Sequence, residues 1–308
     1  MTPQKCMAAA LLVCGAAYAL CLCRGAWKNR AAFRAEPGAL WNMSLWEAAV
    51  YFFTTMGFPD FLLNTVLFRH KKWVDDRRLP GTLVAASILP GAWIASAYLL
   101  GNTAVDLITL LLCVAAIGLG SIIGARVVSR MSGGAIRAIM GVAMIASMGA
   151  LILKMIVSAG AVGTAMDLSA WKLFIALPLM FGFGVINMFG VPMKPPAIAL
   201  LLLLGMESMA VLTVVMVMGV VSPMTGGVRV LRSGNYQRKP VLAGALAGFA
   251  GALAGTVFTV SLSAAVLNGI LLFIMAFTAV SMLRPQRGAA RPAEAPSDQE
   301  EAQHESHQ

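Results

Sequence analysis

The sequence predicts an all-α polytopic membrane protein, chiefly from its composition and the length of its apolar segments. Hydrophobic residues make up 59% of the 308 residues and charged residues 12%, whereas soluble domains are about half apolar and about a quarter charged. The stretches 79–101, 136–158 and 240–260 reach the roughly 20 apolar residues that a helix needs to cross a bilayer. Backbone polar groups in lipid must pair internally, so we expect these stretches to be helices.

The net charge of +10 does not indicate nucleic-acid binding, because the basic residues lie in short clusters between apolar segments. Such clusters are typical of cytoplasmic loops. Most of the 23 Lys and Arg residues lie in five of them: 24–34, 69–78, 126–137, 229–239 and 284–291. We therefore expect the lipid bilayer as a partner, no nucleic acid, and a cytoplasmic location for these five clusters. The connections around Asp106, Asp167 and 261–263 then lie outside.

The two ends of the chain are predicted separately from the core. Residues 1–23 can be read as a cleaved signal, with Ala17-Tyr18-Ala19 as a cleavage site, or as a retained anchor. The basic cluster that follows favours an anchor with its N-terminus outside, so we assign 1–43 to an N-terminal anchor helix and cytoplasmic linker. Residues 285–308 are polar, Pro-rich and acidic at the tip, which predicts a disordered cytoplasmic tail.

An internal duplication is indicated by matching residues at a fixed offset. Thr82, Gly120, Gly124 and Ser132 match Thr213, Gly251, Gly255 and Ser263 at an offset of 131, and Gly57-Phe58-Pro59 matches Gly190-Val191-Pro192 at 133. We predict two membrane repeats, 44–158 and 159–284. The basic loop 126–137 corresponds to the uncharged turn 257–268, so equivalent loops would lie on opposite sides of the membrane. This pattern is typical of the inverted repeats of secondary transporters.

Each repeat is expected to begin with a broken hairpin. The apolar stretch 44–67 separates two basic clusters, and one straight helix there, about 36 Å long, would put them on opposite sides. We expect a break at Gly57-Phe58-Pro59, with Pro59 starting the second half. Gly190, Pro192, Pro195 and Pro196 would break 171–204 likewise. The predicted fold is an inverted repeat of a broken, re-entrant hairpin plus three transmembrane helices, after an extra N-terminal helix.

Small residues in both repeats predict close helix packing. Glycines recur on one face of the second repeat and are answered at the 131 offset in the first; the residues are Gly244, Gly248, Gly251 and Gly255, with Cys113, Gly120 and Gly124. Such residues allow helix backbones to approach each other closely in a membrane.

Lys194 is the main functional candidate, because it is a cation in an otherwise apolar stretch next to a predicted helix start. A lysine and a helix N-terminus together form an anion site; equally, Lys194 could reach the interface or pair structurally. Asp60 is its near counterpart in the first repeat. Asp60 would either cap a helix or pair with Lys194 at the midplane and take a proton during transport.

The predicted substrate-binding set surrounds the two breaks and includes two threonines at equivalent helix starts. Its members are Lys194, Asn187, Pro192, Gly190, Gly57, Pro59, Thr82 and Thr213, with Asp60 as the proton-coupling candidate. Glu47, Glu207 and Asn268 are expected to be exposed near helix ends. The sequence contains no Walker A, His-Glu-x-x-His, CxxC or Gly-x-Ser-x-Gly motif, so we expect no enzyme, no metal site and no cofactor.

Four segments resemble the TauE/SafE sulfite-exporter family of membrane permeases. They are 184–200 with Leu204-Gly205-Met206, then 226–238, 74–82 and 119–126, so that the resemblance covers roughly 44–284. It implies a bacterial inner-membrane transporter with a duplicated core that moves sulfite, sulfonates or related small anions with the proton gradient. The chain lacks the Gly-Gly-Gly pattern that many members carry before the repeat's proline, since Thr55-Met56-Gly57-Phe58-Pro59 and Met188-Phe189-Gly190-Val191-Pro192 stand there.

A secondary transporter of a small anion, working by alternating access, is therefore the first functional prediction. A membrane assembly or regulatory protein without a transport cycle is the alternative, and an intramembrane enzyme the least favoured. The sequence leaves open the substrate, the direction, the coupling ion and whether the chain forms a homo-oligomer.

Overall fold

The computed structural model describes residues 3–55, 58–101, 105–160 and 163–257, and this part of the chain is helical. Its one β contact is an isolated bridge between Ala165 and Met206. The predicted tail and the last span of the second repeat lie outside the described residues. The helices are α1 (Pro3–Lys28), α2 (Arg30–Ala35), α3 (Leu40–Thr54), α4 (Asp60–His70), α5 (Leu79–Ala86), α6 (Ile88–Gly101), α7 (Leu107–Val128), α8 (Gly133–Gly160), α9 (Ala170–Asn187), α10 (Lys194–Leu203), α11 (Ser208–Ser233) and α12 (Arg238–Val257).

Several helices are long and apolar enough to cross a membrane. In the described part of the chain these are α1, α7, α9, α11 and α12, and the bent pair α5 and α6 makes a sixth. Helices suit this role because each satisfies its own backbone hydrogen bonds. The prediction of a multi-pass helical membrane protein is confirmed.

The stretch 79–101, which was predicted as a single spanning segment, is bent. Helices α5 and α6 meet at Ser87 with an angle of 44° between them. Pro90 lacks the N–H that would bond to the carbonyl of Ala86, and its ring crowds that carbonyl. At the bend, the Ser87 hydroxyl donates to the Val84 carbonyl at 3.0 Å.

Helices α3 and α4 form a hairpin, as predicted. Side chains pair across the break in nested order: Tyr51 donates to Asp60 at 3.4 Å, and Trp46, further back, donates to Asn64 at 2.9 Å. Two helices in one line would hold Trp46 and Asn64 far apart. At the open end, Gly38 lies against the Trp73 ring. The expected break is confirmed, although α3 begins four residues earlier than 44.

Helices α9 and α10 also turn back on themselves. Ala165, just before α9, accepts from the backbone N–H of Glu207, after α10, at 2.8 Å. The end of α10 therefore lies beside the start of α9, so the two helices form a hairpin. Gly190 lies in the break with φ of +82°, a conformation that costs glycine far less than other residues. The predicted second break is confirmed.

The basic clusters meet at one end of the molecule, which we call the basic end and define as 24–38, 69–82, 126–137 and 229–239. Glu36 accepts from the backbone N–H groups of Arg238 and Lys239 at 2.8 and 2.7 Å, and Thr82 accepts from that of Gln237. The fifth cluster, 284–291, lies outside the described residues. The α3–α4 hairpin opens at this end.

The opposite end, defined as 105–109, 163–168 and 205–210, holds the acidic turns. The Asp106 N–H donates to the Met166 carbonyl at 3.2 Å, and the Glu207 N–H to that of Ala165. The side chains of Asp106 and Glu207 cap α7 and α11 at 2.7 and 2.8 Å, where a carboxylate also complements the helix dipole. The α9–α10 hairpin opens here, so the two hairpins open at opposite ends.

Each hairpin packs through its first helix against a long, glycine-bearing helix: α3 against α12, and α9 against α7. The predicted close approach of the small residues is confirmed. A Cβ atom would collide with the facing backbone at each of four positions, namely Gly251 with Ala48, Gly255 with Phe52, Gly120 with Phe181, and Gly124 with Val185.

Substituting Gly251→Ala should therefore destabilise the protein by about 1–3 kcal/mol, the usual cost of overpacking. The added methyl group would force α3 and α12 apart along their contact. Thermal unfolding of the detergent-solubilised protein measures the effect. Gly182→Ala is the control, because a Cβ there meets no atom within 4 Å; it should leave stability unchanged or raise it slightly. Equal loss in both variants would contradict the packing argument.

Candidate functional site

An ion pair joins the tips of the two hairpins. The Lys194 ammonium lies 3.2 Å from Asp60 Oδ1; Asp60 is the first residue of α4 and Lys194 the first of α10. Pro59 immediately precedes α4, and Pro195 lies in the first turn of α10, where proline is tolerated. The predicted pairing of Asp60 with Lys194 is confirmed.

The two charges stand in different relations to their own helices. A carboxylate at the N-terminus of α4 complements the helix dipole, whereas an ammonium at the N-terminus of α10 opposes it. Lys194 therefore depends on Asp60 to be stable where it is. Any anion that replaced Asp60 would meet both a cation and the N-terminal end of a helix, the combination that favours anion binding.

The pair is largely withdrawn from solvent, with side-chain exposures of 17% for Lys194 and 9% for Asp60. The other oxygen of Asp60 accepts from the Tyr51 hydroxyl. Among the described residues, Asp60 is the one hydrogen-bond partner of the Lys194 ammonium. Two of the three ammonium protons remain for a ligand or for water.

Two small cavities flank the ion pair. One is lined by Pro59, Asn187, Pro192 and Gly219, and the other by Thr54, Ser87, Gly91 and Met216, besides the pair itself. Each has a volume of about 20 Å³, room for about one water molecule. The site is closed in this structure, so a larger ligand requires the hairpin tips to separate.

The structure brings together five of the residues that the sequence analysis predicted: Asp60, Lys194, Pro59, Pro192 and Asn187 line one cavity. Gly190 lies in the same break but packs against Leu83 and Met140. Gly57 lies outside the described residues.

The two threonines lie elsewhere. Thr82 donates to the Arg78 carbonyl at 2.8 Å and accepts from the backbone of Gln237 at the basic end. Thr213 donates to the Met209 carbonyl at 2.8 Å. Both are fully buried and line neither cavity. Their hydroxyls serve the backbone, which is common for threonine in helices.

A buried polar cluster that the sequence analysis did not identify fixes Asn187. Its amide nitrogen donates to the Ser222 hydroxyl at 2.7 Å, and Ser222 bonds to Ser121 at 2.7 Å. The cluster joins α9, α11 and α7. Ser222 lies about one turn after Gly219, on the face of α11 that reaches the cavity. This three-residue spacing is the feature of the sequence from which a polar neighbour of Asn187 could have been predicted.

Glu47 is buried, so the expectation that it is exposed was wrong. Its side chain is fully buried, with Oε2 accepting from Asn64 at 3.0 Å and Oε1 lacking a partner in the described part of the chain. The reason is the earlier start of α3, which moves Glu47 inside the helix and onto the buried face with Met43, Val50 and Tyr51. That three-to-four-residue spacing was the signal in the sequence.

No protein-family model matches the chain, and no curated protein or solved structure matches it either. The resemblance to the TauE/SafE family stays a prediction.

The ion pair can be tested by a double-mutant cycle. Removing one charge leaves the other buried and unpaired, which typically costs about 3–5 kcal/mol, whereas removing both costs much less. We expect Asp60→Asn and Lys194→Met each to lower the thermal stability in detergent, and the double variant to recover much of the loss. Additive losses would show that the two charges do not interact energetically.

Proposed function

We propose that this protein is a secondary transporter that carries a small anion past the Asp60–Lys194 pair by alternating access. The observation that carries the proposal is a lysine at the buried N-terminus of a broken helix, balanced by a carboxylate from a second broken helix. Ionisable residues inside membrane spans are expensive and are usually functional. Half-helix N-termini that face an anionic substrate are typical of transporters.

The correspondence between the two hairpins supports alternating access. Gly120 and Gly124 of α7 face Phe181 and Val185 of α9, and Gly251 and Gly255 of α12 face Ala48 and Phe52 of α3. The glycines of these contacts match at an offset of 131 and their partners at 133. With hairpins that open at opposite ends, this correspondence favours an inverted repeat. Such repeats can rock about a central site.

Competition explains how an anion could bind a lysine that is already paired. While the Asp60 carboxylate is ionised, it pairs with the Lys194 ammonium. Protonation of Asp60 removes this partner from the ammonium. The released ammonium and the N-terminus of α10 then attract an oxyanion. Proton and anion binding are coupled in this scheme because both act on one ion pair.

Glu47 provides a second carboxyl for the proton. Glu47 lies one helical turn before Tyr51, whose hydroxyl donates to Asp60. Glu47 is therefore nearer than Asp60 to the basic end. A fully buried carboxyl with one unpartnered oxygen is costly unless it is protonated or hydrated. The row Glu47, Tyr51, Asp60 therefore suits proton delivery to the ion pair.

The membrane and the substrate class follow from the charge distribution and from the TauE/SafE resemblance. We place the basic end in the cytoplasm of a bacterial inner membrane, with the N-terminus outside, because basic loops are retained inside. Sulfite, a sulfonate or a related organic anion is the proposed substrate.

Flux into proteoliposomes tests the transport function. With sulfite, sulfonates and other small anions under an imposed pH gradient, we expect uptake or efflux of at least one anion. Lys194→Ala should lower it about 10- to 100-fold, the loss of one or two charge-assisted hydrogen bonds. Lys71→Ala, an exposed basic-end residue, is the control and should transport normally. Absence of flux for every anion would favour the non-transporting assembly protein.

The proton scheme makes a separate prediction. Asp60→Asn should abolish the dependence of flux on the pH gradient, because the amide cannot take up the proton. Glu47→Gln should weaken that dependence while leaving anion binding intact. Asp75→Asn, at an exposed loop position, is the matched control. Proton-dependent flux that is unchanged in Asp60→Asn would exclude this scheme.

A further inference from the structure

Three arginines lie close together at the basic end, away from the ion pair. A cavity of about 380 Å³ opens beside α7 and α11 and is lined by Arg126, Arg229 and Arg232, together with Ile122, Ser129, Thr225, Val228 and Ser233. This volume falls within the range of about 300–1,000 Å³ that is typical of ligand pockets.

Within the described part of the chain, no carboxylate forms an ion pair with these three arginines. The ion pairs of the described residues involve Arg69, Lys194 and Arg238, and none involves the arginines of this cavity. Arg229 and Arg232 stand three residues apart on one helix, a spacing at which like charges repel. Cations near the C-termini of α7 and α11 complement the helix dipoles. Together with the tendency of basic residues to lie on the cytoplasmic side, that effect accounts for the charges themselves; the further observation is that the three arginines line one cavity.

Two of the three hydroxyl side chains that line the cavity already donate their protons to backbone carbonyls. Thr225 donates to backbone carbonyls of α7 and α11, and Ser129 donates to the Arg126 carbonyl at 2.9 Å. Each guanidinium, in contrast, carries five N–H donors in a planar fork that matches the oxygens of a phosphate or sulfonate.

We propose that this cavity binds an oxyanion of the phosphate or sulfonate class between Arg126, Arg229 and Arg232. The ligand would neutralise the positive charges that line the cavity and accept bidentate hydrogen bonds. The site is separate from the ion pair: Gly219 lines a cavity of the pair, and Arg229 lies ten residues, about 15 Å, further along α11.

Two sources can supply such an anion. One is a free anion from the cytoplasm, and the other is the phosphate headgroup of an anionic lipid, since basic pockets between membrane helices bind such headgroups. Both use the same chemistry, so the experiment has to separate them.

Ligand-dependent stabilisation of the purified full chain in neutral detergent tests the proposal. One arm adds sodium phosphate or sulfate against sodium chloride of equal ionic strength. The other adds short-chain phosphatidic acid against phosphatidylcholine. We expect Tm to rise by about 3 °C or more at ten times Kd in at least one arm. A rise with the lipid alone identifies the headgroup as the ligand, and a rise with the inorganic anions identifies the free anion.

The test variant and its control each lose two positive charges. Arg229→Gln with Arg232→Gln should abolish the rise, whereas Arg24→Gln with Lys28→Gln, in another basic cluster, should keep it. Arg229→Lys with Arg232→Lys retains the charge but loses the planar guanidinium donors, and should weaken binding about tenfold. This variant replaces the Gln variant in the test if the Gln variant does not fold. Lys194→Ala should keep the rise, which separates this proposal from the transport function. A rise that survives in the Gln variant, or no rise in either arm, would overturn the proposal.

Discussion

The ion pair between Asp60 and Lys194 is the contact on which the arrangement of this molecule depends. It joins residues 134 positions apart in sequence, at the first residues of two helices that start inside the protein. Withdrawing two charges from water costs several kcal/mol per ion, and their attraction compensates only when they stay together. The pair therefore favours contact between the two hairpin tips, with a cavity of about 20 Å³ on either side of it.

Rigid packing surrounds this contact. The first helix of each hairpin lies against a long helix whose glycines allow backbone contact, α3 on α12 and α9 on α7. Such surfaces resist gradual deformation because a protein interior is close-packed. In the proposed alternating-access cycle, a change at the ion pair would then move whole helices together.

Polar groups away from the ion pair are arranged along its two sides. Glu47 and Tyr51 approach Asp60 along α3, and the serine cluster that holds Asn187 joins α7, α9 and α11. Further along α11, the three arginines surround an open cavity. Buried polar groups need partners or water to offset their desolvation. Among the described residues, the Glu47 oxygen without a partner and the arginines without a carboxylate are therefore the places where a proton or an anion would have the largest effect.

Much of the fold was predictable from the sequence by local rules. Apolar length predicted the spans, and proline and glycine at 190–196 and Pro59 predicted the breaks, because they determine which backbone hydrogen bonds can form. The pairing of Asp60 with Lys194 was also predictable, since an isolated cation and an isolated carboxyl stood at matching breaks. The bend at Ser87 was not predicted, although the sequence contains Pro90. A proline three residues further along does not by itself determine the angle between two helices.

The environment of individual polar side chains was decided only by the tertiary structure. Glu47 became buried because α3 begins earlier than its apolar stretch suggests, and Thr82 was engaged by Gln237, a residue 155 positions away. The sequence by itself determined which segments are helical, where two of them break and which loops carry the basic clusters. Only the folded chain decided which donors and acceptors meet, because helix formation depends on near neighbours whereas burial depends on residues remote in sequence.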